Sequence, residues 1–279
     1  MNYLKDPKPE VIILTPTYDP RRFEYLREAI QSVLIQTFQD YKIIIIDDNP
    51  LRENVWQLED LVHLDPRIKL IRNPQNKGIA GSRNRWIIFS EQMGYTPLAY
   101  CLIDDDDRYI SPEKLTRHIF ELQRNDNLGL VGSNWHYVDG LGNRKGRSNM
   151  PETHHKILNR VNFAFPFLPS SLAIRWELLR TLKFRENLLG SDDYELLFRI
   201  LSNGHETKNV PDVLTYYRIH WSNTTQTKAR ELLTEKRNVI KENGAEFPNY
   251  QIGLMAMKFL ELLGPSLKAK FKEFLFIEK

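Results

Sequence analysis

The chain has 279 residues, 41% hydrophobic and 27% charged, and its 39 Lys and Arg against 36 Asp and Glu leave a net charge of +3. That composition suits a globular chain with a sizeable core and excludes a disordered one, while so small a net charge lacks the field of a dedicated nucleic-acid binder, so no nucleic-acid partner is expected. The single Cys101 excludes an internal disulfide and a Cys-rich zinc site, the first ten residues do not read as a signal peptide, and no apolar run approaches the roughly 20 residues of a membrane helix, so a cytoplasmic chain is expected.

Residues 11–15 and 42–47 are short, Ile-rich and nearly all apolar, the mark of strands buried on both faces of a parallel sheet. Between them, residues 25–36 place Leu26, Ala29, Ile30, Val33 and Leu34 at helical spacing. The alternation continues with a helix over 51–64, a strand over 68–71, a helix over 80–91 and a strand over 99–103. A helix follows from Pro112, which suits a first helical turn, and then a strand over 128–132. This order predicts an α/β fold, a doubly wound and mostly parallel sheet with right-handed crossovers. Residues 139–168 lack clear periodicity and read as a long loop or lid. A helix over 191–202, a strand over 213–219 and a helical segment over 227–279 complete the chain, with no linker that would set off an independent domain.

Ligands of such sheets bind beyond the carboxyl ends of the strands. Those ends read Thr15 to Asp19, Asp47 to Pro50 and Asp104 to Asp107, so one rim is strongly anionic. Four consecutive aspartates repel and raise one another's pKa, a penalty that a divalent cation removes. Carboxylate oxygens suit Mg²⁺ or Mn²⁺. Alternate residues of a short turn can project to one side, so Asp104 and Asp106 could share a metal while Asp105 faces elsewhere; a solvated acidic loop capping the next helix is the alternative. A calcium loop starting at Asp104 would need Gly and Glu where Tyr109 and Leu115 stand. No Gly-rich dinucleotide or triphosphate loop is present, although Gly78 and Gly81 beside Lys77 and Arg83 open a helix that could cradle an anion.

Taken in order, the run from Val11 to Tyr18, Ser32 to Thr37, Ile46 to Asp48, Asn76 to Gly78 with Ser82 to Asn84, Leu102 to Asp107, Gly190 to Arg199 and Tyr217 to His220 closely resemble the motifs of family 2 glycosyltransferases, over roughly residues 10–225. The resemblance implies the GT-A fold, with a catalytic domain over 1–225 and a helical extension over 226–279 packed on it or on a partner. It further implies a nucleotide-sugar donor, UDP-linked, and an inverting transfer helped by Mn²⁺ or Mg²⁺. By position, Pro16 and Tyr18 would line the base and ribose pocket, with Asp48 reading the uracil edge and Arg83 beside it. Asp104, Asp105 and Asp106 match the region that touches ribose and metal, Asp106 as the direct ligand, and His220 would complete the metal or diphosphate site. A cation would stabilise the charge that develops on the leaving nucleoside diphosphate, and a base must take the proton of the acceptor hydroxyl. Asp193 matches the Asp of the family's Glu-Asp pair and is the candidate base; Asp192 replaces the usual Glu, and either carboxylate can face the acceptor.

Ser170 and Ser171 lie where the family often places acceptor-side contacts, and a helix N-cap explains them equally well. Trp135 and Trp221 could stack on a sugar, with core packing the more frequent use. The Gln-x-x-Arg-Trp motif of processive relatives is missing, which favours transfer of one sugar to a saccharide or lipid-linked acceptor in glycan biosynthesis. A nucleotide-sugar-forming nucleotidyltransferase would want a Gly-rich first loop, and residues 15–18 contain no Gly; a non-catalytic binder would not be expected to keep both the aspartate run and Asp193. The tail from Met255 to Phe276 reads as a basic amphipathic helix. Such a helix can hold a chain peripherally on the inner face of an anionic membrane, and more often covers a core or the partner in a homo-oligomer.

Overall fold

The structure, a computed structural model, describes residues 10–51, 55–263 and 277–278. In chain order its elements are β1 (Val11–Thr17), α1 (Phe23–Leu34), β2 (Tyr41–Asp47), α2 (Val55–His63), β3 (Ile68–Arg72), α3 (Gly78–Gln92), β4 (Ala99–Leu102), β5 (Arg108–Tyr109), α4 (Lys114–Arg124) and β6 (Leu128–Asp139). Then come β7 (Arg144–Ser148), α5 (His154–Val161), β8 (Ala173–Arg175), α6 (Trp176–Leu182), α7 (Asp192–Ser202), β9 (Glu206–Ile219), α8 (Thr224–Thr227), α9 (Ala229–Asn243), α10 (Tyr250–Leu262) and β10 (Ile277–Glu278).

One sheet carries these strands in the order β10-β7-β6-β8-β4-β1-β2-β3, with β9 laid along β6 and β5 on β9. Its β4-β1-β2-β3 half is wholly parallel. The three-residue β8 enters antiparallel between β4 and β6, so β6 and its parallel partner β9 point the same way as that half. The mostly parallel α/β architecture expected from the sequence is thus present.

Because side chains alternate across a strand, β1 and β2 feed two cores. Ile12, Leu14, Ile44 and Ile46 face a cluster that takes in Trp86 of α3, Leu179 of α6, Phe198 of α7, Val239 and Ile240 of α9 and Met257 of α10. Val11, Ile13, Ile43 and Ile45 face Leu26 and Ile30 of α1, Leu58 of α2 and Leu115 and Ile119 of α4. Both faces are covered by helices, which is why residues 11–14 and 43–46 are apolar without a break rather than alternating.

Three expectations require correction. Residues 139–168 are not one loop: β7 and α5 lie within them, β7 built of Arg, Lys, Gly and Ser with little burial and α5 burying only Ile157 and Val161, so neither carries a strong apolar period. The strands read as 128–132 and 213–219 are much longer, because β6 and β9 pair along their lengths; the register jumps from Val210 to Val213 past Pro211, which cannot donate to a ladder and breaks the apolar pattern. The segment 227–279 is not all helix: α9 and α10 are joined by a 3-10 turn at Gly244–Glu246, β10 pairs antiparallel with β7, and residues 264–276 of the expected amphipathic tail lie outside the described residues. Within α10, Met257 is buried while Ile252, Met255, Phe259 and Leu262 form an exposed stripe.

Candidate active site

The site begins where a ladder stops. The Leu14 carbonyl accepts from Ile103 N, on the β4 side, and the Thr17 carbonyl accepts from Asp48 N, on the β2 side. By that alternation Pro16 faces β4, and having no N–H it cannot supply the next rung. Pairing with β4 ends at Leu14 opposite Leu102, and the strands part there. Asp104 to Asp107 fill this notch, at the switch point between β1, whose crossover runs to β2, and β4, which is reached by the crossover from β3. Tyr18, 49% exposed, stands at its mouth.

Each aspartate turns to its own partners. Asp104 Oδ1 accepts from Arg83 Nη2 at 2.8 Å. Asp105 accepts from Thr17 Oγ1 at 2.8 Å and Arg22 Nη1 at 2.9 Å. Three donors crowd Asp106 Oδ2: His220 Nε2 at 2.8 Å, Asn223 Nδ2 at 3.2 Å and Arg22 Nη1 at 3.3 Å. Asp107 accepts from Ser170 Oγ at 2.5 Å and from the Arg218 backbone N–H at 2.9 Å. The Ser222 N–H donates to His220 Nδ1 at 3.3 Å, which assigns the ring proton to Nε2, facing Asp106. Burial raises the pKa of Asp104, Asp105 and Asp107. Asp105 reaches about 7, against the opposing charge of Arg22.

Two helices complete the rim. Asp48 accepts from Asn73 Nδ2 at 2.7 Å and from the Lys77 and Gly78 backbone N–H groups, each at 2.9 Å, so both of its oxygens hold the turn that opens α3. Gly78 takes φ +69° there, a conformation that Gly adopts without strain. One turn on, Arg83 is 1% exposed and reaches both Asp104 and, at 3.4 Å, Asp192 Oδ2. This guanidinium ties the aspartate run of β4 to the start of α7. Asp193 follows, its pKa raised to about 7 chiefly by burial and then by the charge of Asp192, with Lys236 of α9 pulling the other way. The Glu235 carboxylate accepts the Leu189 and Gly190 N–H groups and so fixes the approach to α7.

The expected residues stand at one end of the sheet: Pro16, Tyr18 and Asp48 at the ends of β1 and β2, Arg83, Asp104, Asp192 and Asp193 on one side, and Asp105, Asp106 and His220 on the other, so that Asp106 is grouped through Arg22 with Asp105 and not, as expected, with Asp104. Ser170 and Ser171 are both 0% exposed, and Ser170 also accepts the Asp104 N–H at 3.0 Å and braces the aspartate run. Trp135 is core, whereas Trp221 is 69% exposed with the Arg21 guanidinium 4.7 Å from its ring centroid. Sequence reasoning assigned nothing to Thr17, Arg22, Arg218 or Asn223. Arg218 lies inside a quoted motif and could have been found there: it donates to the Asp106 carbonyl at 3.0 Å and to Glu28 of α1 at 2.6 Å. A cavity of about 520 Å³ lies beside this rim, between Arg185 and Leu188 on one side and Arg230, Glu235 and Asn238 of α9 on the other.

The family model of Glycosyl transferase family 2 matches residues 12–183, more than half of the chain, and the chain belongs to this family of enzymes. An uncharacterized glycosyltransferase of Methanocaldococcus jannaschii is 27% identical over 214 residues, 76% of this chain and 71% of that protein. The Escherichia coli UDP-Glc:alpha-D-GlcNAc-diphosphoundecaprenol beta-1,3-glucosyltransferase WfaP is 27% identical over 217 residues, 77% and 80%. Among solved structures, S. aureus TarS 1-349 in complex with UDP-GlcNAc superposes with TM-score 0.67 at 17% identity, covering 95% of this chain and 77% of that one. The mannosyltransferase PcManGT from Pyrobaculum calidifontis, in complex with GDP-Man and Mn²⁺, does so with TM-score 0.67 at 16% identity, covering 96% and 77%. These neighbours establish the GT-A fold.

A divalent cation fits the donor set at Asp106. Its Oδ2 and His220 Nε2 face each other 2.8 Å apart, near the spacing of adjacent ligands on one ion, and with the ring proton moved to Nδ1, where Ser222 Oγ stands 3.0 Å away, a carboxylate with a neutral imidazole suits Mn²⁺. Among the described residues no three of His, Cys, Asp and Glu surround one point. Such an ion would take its other ligands from a bound diphosphate and water, as Mg²⁺ sites commonly do.

Proposed function

We propose that this glycosyltransferase moves one sugar, with inversion, from a UDP-linked donor to a hydroxyl of a saccharide or lipid-linked acceptor in glycan biosynthesis. The observation that carries this reading is the buried Arg83, which joins Asp104 on the donor side to Asp192, and hence to Asp193, on the other. A nucleotide held along β1, β2 and Asp104 to Asp106 thereby presents its sugar toward the start of α7.

Asp193 acts as base: its carboxylate takes the proton of the acceptor hydroxyl as that oxygen bonds to the anomeric carbon. The bond from that carbon to the donor phosphate oxygen breaks on the opposite face, and the electron pair leaves with the nucleoside diphosphate. A carboxylate with a pKa near 7 is matched to this task at neutral pH. Asp192, locked to Arg83, holds the helix start in place. Asp106 and His220 would hold Mn²⁺ or Mg²⁺, which when bound supplies charge stabilisation to the departing diphosphate. Pro16, Tyr18 and Asp48 would shape the pocket for base and ribose, Asp48 through the Lys77–Gly78 turn that it fixes.

Asp193→Asn is expected to leave the affinity for UDP with Mn²⁺ near that of the parent while lowering transfer by about 10²-fold or more. Asp106→Ala is expected to weaken cation-assisted donor binding. Calorimetric titration beside a turnover assay checks both. Transfer by Asp193→Asn at the parent's rate would remove Asp193 from the role of base.

A further inference from the structure

Arg22 ends a short 3-10 turn, Pro20–Arg22, that Asp19 caps by accepting the Arg21 N–H at 3.0 Å. The turn aims one nitrogen, Nη1, between two carboxylates, 2.9 Å from Asp105 Oδ1 and 3.3 Å from Asp106 Oδ2. The second of these oxygens also faces His220 Nε2, the place a cation would take. Arg22 Nε is buried and has no partner among the described residues, so the guanidinium is not saturated. Closure is nearly complete: Asp105 and Asp106 are 4% and 6% exposed.

Two positive charges cannot share that space at low cost. A free cation on Asp106 Oδ2 must therefore push Arg22 back toward Asp105 and Asp19 with one carboxylate fewer to pair it, whereas a cation arriving with a diphosphate brings acceptor oxygens suited to the released guanidinium. We infer that Arg22 is an internal counter-ion that makes cation binding conditional on the nucleotide: it neutralises Asp105 and Asp106 in the free enzyme and passes to the donor diphosphate when the ion is bound. The inference rests on the reading of this cluster as a nucleotide and cation site.

By linkage, nucleotide and cation should then tighten one another, and the coupling should reside in Arg22. The test titrates Mn²⁺ into the full chain and follows the free-ion EPR signal, first with the metal alone, then with UDP and separately with GDP. In the parent, Mn²⁺ alone should bind weakly and either nucleotide should tighten it. In Arg22→Gln and Arg22→Met, each checked by its melting curve, Mn²⁺ alone should bind about tenfold more tightly, and the gain from nucleotide should shrink by the same factor. Arg22→Lys, which keeps the charge, should retain weak binding of the metal alone. Unchanged or weaker binding of Mn²⁺ alone to both neutral variants overturns the inference. So does a parent whose Mn²⁺ affinity ignores both nucleotides, a result that needs no variant. A parent that binds Mn²⁺ neither alone nor with nucleotide removes the cation from the proposed function, and this inference with it.

Discussion

At the scale of single residues, Asp193 links activity to pH in a checkable way. Its pKa of about 7 in the folded chain exceeds the ordinary 3.8 because burial and the charge of Asp192 disfavour ionisation. The base must be ionised to accept a proton, so transfer should rise with pH through about 7 and then level off, as an initial-rate profile would record. Stability runs the other way. Between pH 3.8 and about 7 the folded chain holds a proton that the unfolded chain releases, so this carboxyl's stabilising share is present below that window and lost as pH rises through it. Asp193→Asn should consequently melt roughly 2–4 °C above the parent at pH 8, corresponding to about 1 kcal/mol, with the difference gone near pH 4. Equal melting points at both pH values would show that the carboxyl pays no burial penalty. The run Asp104 to Asp107 announced a charge problem in the sequence, and of the side chains that answer it the sequence named His220 but not Thr17, Arg22, Arg218 or Asn223. The neutralising groups on Thr17, Arg22, Ser170, Arg218, His220 and Asn223 lie 63 to 117 positions from the aspartates they touch, beyond any local spacing rule.

Among the elements, legibility followed burial. β1, β2 and β4 are buried at every position and mostly apolar and could be read directly, as could α1 and α4, whose buried residues recur at helical spacing. β8 is three residues long and β7 is almost all polar, so neither offers a period to detect. The C-terminal helices show how contact rather than pattern can fix an element. Asn162, just past α5, donates through Nδ2 to the carbonyls of Gly244, Phe247 and Pro248 at 2.9 to 3.2 Å, and α10 presses Gly253 against it. A Cβ added at Gly253 would lie 2.1 Å from the Asn162 carbonyl oxygen, a backbone atom that cannot step aside alone. Gly253→Ala should therefore destabilise the chain by about 1–3 kcal/mol, despite alanine's better helix propensity. Urea unfolding checks the sign, since a stabilised variant would mean that α10 is held elsewhere.

For the whole molecule, the helical extension shares one core with the sheet, through Val239, Ile240 and Met257, and shows its other side to solvent. The exposed Ile252, Met255, Phe259 and Leu262, with Lys258 among them, form an apolar stripe, and if the proposed acceptor is lipid-linked, an anionic bilayer is what this stripe would meet. The expected outcome is that the chain floats with anionic vesicles in a density gradient and that Ile252→Ser with Phe259→Ser does not. A parent that stays with the soluble fraction would detach the acceptor's lipid from this stripe. The Arg83 bridge carries a last consequence, for synthesis on the ribosome. Its two carboxylates are supplied 21 and 109 residues downstream, by the turn after β4 and by α7. A nascent chain that has emerged only through β6 holds the nucleotide-side strands but not Asp192, so its guanidinium still lacks one of its two anchors. Under the proposed function donor recognition is then expected late in the life of the polypeptide, once the second half has docked onto the first.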